Sequence, residues 1–175
     1  MTSLKSICRK LNKIMEAKDK KLSIVRIFDA PRELGFKLWS SSEHISKWYV
    51  PQGCKTTVYK LEFKPGGIFH HEVRSLDGIG CIFKAEYREI IENEKIVYVL
   101  RYCDENGSLI SAAEANMEGP DETTVTVTFE DYEGKTKLTL HQSISEEWAK
   151  NKGSYFGWLE ILDGLEKESF KTMHE

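Results

Sequence analysis

Two adjacent imidazoles, His70 and His71, are the first residues of this 175-residue chain whose type and spacing suggest chemistry. They fall in a stretch where Phe69, His71 and Val73 alternate with polar neighbours, the period of a strand. Neighbours on a strand point to opposite faces, so the pair cannot converge on one metal ion without a bulge. Only His71 shares the face of Phe69 and Val73. There it can hydrogen-bond a polar group of a bound molecule, or act as a base near neutral pH. The plainer alternative is a part-buried histidine tied to a neighbouring tyrosine or glutamate.

The other reactive residue types form no constellation. Glu86 and Glu89 belong to a charged strand edge, and nothing in their spacing sets two carboxylates face to face as glycoside hydrolysis requires. The sequence contains no G-x-S-x-G elbow. Cys8, Cys54, Cys81 and Cys103 are far apart, with no CxxC pair to hold zinc and no local motif to activate a thiolate. Cys81 alternates with Phe83 and reads as a small buried apolar residue. Gly66-Gly67 lacks the lysine and following helix of a phosphate loop and reads as a turn. The expectation is therefore no catalytic residue, no metal and no cofactor.

Aromatic residues give a stronger signal. Trp39, Trp48, Tyr59, Phe63, Phe69, Phe83, Tyr87, Tyr98, Tyr102, Phe129, Tyr155 and Trp158 fall mostly on faces predicted to point inward. Such a set either fills a solid core or lines an apolar pocket oriented by a few hydroxyls. On the pocket reading, the expected ligand-lining residues are Trp39, Trp48, Phe69, His71, Phe83, Tyr87, Tyr98, Phe129, Tyr155, Trp158 and Leu162.

The elements that must position these residues follow from periodicity. A first strand over 22–30 leads into a short helix over 31–39, with Pro31 in its first turn. Ser41 or Ser42 can cap a second short helix that runs through Trp48, with Glu43 in its first turn. Strands are expected over 56–63, with Thr57, Tyr59, Leu61 and Phe63 on one face, and then over 68–75, 80–91 and 95–103. Pro65-Gly66-Gly67 and Asp77-Gly78 supply the first two turns. A polar loop over 104–121, with one helical turn near 112–117, precedes strands over 123–130 and 135–143. Tyr155, Trp158, Leu159, Leu162 and Leu165 then recur at i, i+3, i+4 spacing, as on a long amphipathic helix. The result is an α+β layout.

The totals restrict function classes. A 20.2 kDa chain with 40% hydrophobic and 30% charged residues suits one globular domain, here 22–175. A net charge of −3 provides no basic field for nucleic acid. No apolar run approaches the roughly 20 residues of a membrane span, and no secretory signal is visible. Reduced thiols in a cytoplasmic protein are the expectation. Residues 1–21 read as a basic amphipathic extension: Leu4, Ile7, Cys8, Leu11, Ile14 and Met15 on one face, and Lys5, Arg9, Lys10 and Lys13 on the other. Its apolar face has no aromatic anchor for lipid, so packing on its own domain or on a homodimer mate is the simpler reading.

An ordered series of residues resembles a known family. Arg26, Ala30-Pro31, Trp39, Trp48, Pro51, Pro65-Gly66-Gly67, Asp77-Gly78, Tyr87, Glu89-Ile90, Gly134-Lys135-Thr136, Leu138-Thr139-Leu140 and Gly157-Trp158 resemble the START-related, birch-pollen-allergen-like superfamily. Within it they are most similar to the activator of heat-shock protein 90 ATPase homologue-like group. The resemblance covers about residues 22–168. Ala85 stands where the group usually has glycine, and Ser41-Ser42 replaces a common Thr-Asp. The resemblance implies a helix-grip fold: a curved antiparallel sheet of about seven strands around a long C-terminal helix, with two short helices after the first strand. It also implies a cavity between sheet and helix, and hence a small apolar or aromatic ligand, including lipids. A co-chaperone-type interaction module with a chaperone partner is the second expectation, and a cavity enzyme of cyclase or hydrolase type the third.

Overall fold

The computed structural model describes residues 20–175, so the expected N-terminal extension lies outside the described residues except for Lys20 and Lys21. The first strand, β1 (Lys21–Phe28), begins at Lys21 and is followed by α1 (Arg32–Lys37) and α2 (Ser42–Trp48). Pro31 precedes α1 as its N-cap with φ −59°, the angle its ring imposes. Ser41 caps α2 by position, but its side chain makes no capping hydrogen bond. Five strands follow: β2 (Cys54–Leu61), β3 (Ile68–Ser75), β4 (Gly80–Ile91), β5 (Lys95–Cys103) and the two-residue β6 (Leu109–Ile110). Then come β7 (Glu122–Tyr132), β8 (Lys135–Ser145), α3 (Glu146–Lys152) and the long α4 (Ser154–Met173).

All pairings are antiparallel, in the order β1-β8-β7-β5-β4-β3-β2, with β6 pairing β5. The sheet is open, with β1 and β2 at its edges, and it curves around α4. This is the expected α+β helix-grip architecture. Along α4, Trp158, Ile161, Leu162, Leu165 and Ser169 form the buried stripe that the 3.6-residue period requires. Opposite it, alternate residues of the sheet point inward: Phe69 on β3, Ala85 and Tyr87 on β4, Ile96 and Tyr98 on β5, Val125, Val127 and Phe129 on β7, and Leu138 and Leu140 on β8.

One strand departs from its expected alternation. The β2–β3 register shifts between Val58 and Lys60, so a bulge at Tyr59 exchanges the inward phase. Val58, Leu61 and Phe63 pack against the core, while Tyr59 turns outward and is 53% exposed. The outward turn leaves the Tyr59 hydroxyl free to donate to Glu72 Oε2 at 2.9 Å. A strict period of two cannot anticipate one inserted residue. Among the described residues, no helix is long and apolar enough to cross a membrane.

Candidate ligand-binding cavity

The contact between α4 and the sheet is closed at one end. There Trp39 and Trp48 meet at 4.7 Å, Trp39 faces Phe129 at 6.4 Å, and Phe36 bridges Phe129 and Phe63, each pair edge-on. Trp48 Nε1 donates to the Leu38 carbonyl at 3.0 Å, joining the two short helices. Gly164 of α4 packs so closely on α2 that a Cβ there would lie 2.7 Å from the Trp48 carbonyl oxygen.

The other end is open. A cavity of about 610 Å³ separates the first turns of α4, together with α3, from β3, β4, β5, β7 and β8. Gly157 makes room for it, since a Cβ there meets nothing within 4 Å. His71, Phe83, Tyr102 and Ile144 line the sheet side, and Trp148, Ser154, Trp158 and Ile161 the helix side. Ile79 and Met117, lining residues that remain exposed, mark its opening to solvent. The loop before β7 closes the rim through Gly119, whose φ of +106° and close approach to the Trp148 ring leave no room for a side chain. An ion pair between Lys152 and Glu118 ties the same loop to the end of α3.

His71 is the notable polar group in this wall. Its ring is stacked on Phe69 at 4.0 Å and 15° and lies beside Phe83 at 5.4 Å and 23°, with Tyr49 edge-on at 5.3 Å. The side chain is 1% exposed, and Nδ1 has no hydrogen-bond partner among the described residues. Burial drives its pKa down to about 3, with the Phe69 carbonyl pulling less strongly the other way, so the imidazole is neutral at physiological pH.

Several other polar groups around the cavity are already engaged. Trp158 Nε1 donates to Gln142 Oε1 at 2.8 Å, and Gln142 Nε2 donates to Thr123 Oγ1 at 3.0 Å. The Tyr49 and Tyr98 hydroxyls share a hydrogen bond at 3.2 Å, and burial pushes the Tyr49 pKa up to about 12. Arg101 Nε binds Glu122 at 2.8 Å. Ser154 Oγ, buried at the start of α4, is the second polar atom here without a partner among the described residues. Burial also raises the Cys81 thiol, which keeps it protonated and a poor nucleophile. Among the described residues, no three of His, Cys, Asp and Glu come together as a metal site would require.

The eleven expected lining residues separate clearly. His71, Phe83 and Trp158 line the cavity. Phe69 stacks behind His71, and Tyr98 stands behind Tyr49. Trp39, Trp48, Phe129 and Leu162 belong to the packed core, as does Tyr87, which meets Phe63 at 5.2 Å. Tyr155 is partly buried and carries Lys150 over its ring at 5.0 Å. Sequence reasoning did not single out Tyr49, Gln142, Trp148 or Ser154. Gln142 was legible as the next inward position after Leu138 and Leu140. Trp148 was legible from Ser145-Glu146-Glu147, a capped helix start in which the Ser145 hydroxyl accepts from Trp148 N at 3.0 Å.

Comparison with known proteins bears on the fold. Residues 29–169 match the family described as Activator of Hsp90 ATPase homolog 1-like protein. No curated protein matches the chain. Among solved structures, a protein from Staphylococcus epidermidis is 23% identical with a TM-score of 0.74, over 89% of this chain and 92% of its own. One from Arthrobacter aurescens is 21% identical with a TM-score of 0.74, over 89% and 88%. The AHSA1 protein of Silicibacter pomeroyi is 15% identical with a TM-score of 0.65, over 85% and 96%. These likenesses are in fold.

Proposed function

The chain belongs to the family described as Activator of Hsp90 ATPase homolog 1-like protein, and on that premise we propose that it is a binding protein whose cavity holds a small, mostly apolar or aromatic molecule. The observation that carries this reading is the about 610 Å³ space at the open end of α4, within the range of drug-sized ligand sites and walled largely by aromatic and aliphatic side chains. Binding rather than turnover fits the wall: the imidazole, with its pKa driven down to about 3, is a weak base held by stacking, and burial raises the pKa of the lining thiol Cys81. The free thiols of Cys54, Cys81 and Cys103 support the cytoplasmic location that belongs to this reading.

Differential scanning fluorimetry against lipids, aromatic polyketides and hormones tests the proposal, with Gly157→Leu as the plugged control. A Cβ at 157 meets nothing within 4 Å, so a leucine there starts out into open space at the cavity wall. A ligand that raises the melting temperature of the natural protein and not of Gly157→Leu supports the reading. Equal shifts in both, or none with any ligand, contradict it. The family description raises a second reading, in which the protein modulates a chaperone ATPase. Unchanged turnover of the host chaperone on adding the protein would remove it.

A further inference from the structure

The polar inventory of the cavity wall restricts the kind of molecule it accepts. Gln142 is committed to Trp158 and Thr123, and Tyr49 to Tyr98. Both cations in the lining are neutralised: Arg101 by Glu122 at 2.8 Å, with Glu86 at 3.6 Å, and Lys152 by Glu118. Among the uncharged lining groups that remain, Tyr102 and Asn116 included, His71 Nδ1 and Ser154 Oγ are the ones that are buried and without partners among the described residues. A buried polar atom left unpaired is costly, so a group that satisfies it binds with a corresponding advantage. An ionised group brought to the same place would lose its hydration and find no free countercharge.

We propose that the cavity selects an uncharged, ring-bearing molecule carrying a hydroxyl group, with that hydroxyl docked against the imidazole of His71. This rests on the binding reading above and adds to it the class and orientation of the ligand. A flat ring suits the wall because Phe83, Tyr49 and Trp158 present aromatic surface beside the imidazole. A hydroxyl suits the imidazole because it both donates and accepts, whichever ring nitrogen carries the proton. His71 cannot turn to meet another geometry, since Phe69 and Phe83 hold its plane.

Isothermal titration calorimetry on the full chain at pH 7.5 tests this with biphenyl, 4-hydroxybiphenyl and biphenyl-4-carboxylate. The hydroxyl is expected to tighten binding roughly fivefold to tenfold over biphenyl, and the carboxylate to bind more weakly than either. His71→Phe, an apolar replacement of similar shape, is expected to keep biphenyl binding and erase the advantage of the hydroxyl. If that variant does not fold, the decision passes to the 15N shift of His71 Nδ1 in the natural protein. It should move with 4-hydroxybiphenyl and stay with biphenyl. Biphenyl and 4-hydroxybiphenyl binding equally, the carboxylate binding best, a hydroxyl advantage that survives His71→Phe, or an unmoved Nδ1 shift would each overturn the inference and leave the binding reading standing. If none of the three probes binds, the inference falls, and the binding reading is decided by the wider ligand screen above.

Discussion

Gly157 and Gly164 lie on the same helix, two turns apart, and meet opposite surroundings. At Gly164 a single added carbon would strike the backbone of α2, whereas at Gly157 it would enter empty space. The same curved sheet faces both. What differs is the layer on the far side: α1, α2 and the turn between them fill the gap at one end with Phe36, Trp39 and Trp48, whereas at the other a cavity of about 610 Å³ remains among the described residues. A sheet of this curvature closes on a helix only where further side chains complete the contact, and the protein completes it over half the length of α4. One half is packed through, and the other is left open.

Several substitutions can break or sharpen that contrast. Phe129→Ala, in the packed half, is expected to cost about 3–5 kcal/mol of unfolding free energy, and Phe83→Ala, beside the void, clearly less; urea denaturation measures both. Equal costs would erase the distinction between the halves. Gly164→Ala should destabilise by about 1–3 kcal/mol, because a backbone carbonyl cannot retreat as a side chain can. This exceeds the helix propensity that alanine gains.

The pH dependence tests the wall of the open half. The folded pKa of His71, about 3, lies below the 6.5 of a free histidine. Its contribution to stability is therefore complete above pH 6.5 and is lost as pH falls from there toward 3, while the unfolded chain takes up a proton that the native ring refuses. The slope from this one group is about 1 kcal/mol per pH unit. Denaturation midpoints across that window should fall with acid, and His71→Phe should flatten the fall. The smallest effect is expected from Gly157→Leu, which should gain up to about 1 kcal/mol from helix propensity and cavity filling. Its melting temperature should stay level or rise while ligand binding disappears.

Much of this arrangement was legible in the sequence. The bounds of β3, β4 and β5 follow from alternation and from the turns at Gly66-Gly67 and Asp77-Gly78, all local signals. The inward direction of Phe69, His71, Phe83 and Tyr98 was equally local. Whether an inward residue fills space or borders it is not local, since that depends on what stands opposite. Trp39 and Phe129 meet each other across the interior, whereas Phe83 and Gly157 both border the open cavity. The bulge at Tyr59 was hidden for a related reason: its outward turn is matched by Glu72, a partner on the adjacent strand.

The most direct test of the open half is backbone amide chemical-shift mapping of the natural protein titrated with 4-hydroxybiphenyl. Saturating shifts at His71, Phe83, Gly157 and Trp158, with Trp39, Phe129 and Gly164 unmoved, are the result this account predicts. Shifts centred on the packed half, or no saturable shifts at all, would contradict it.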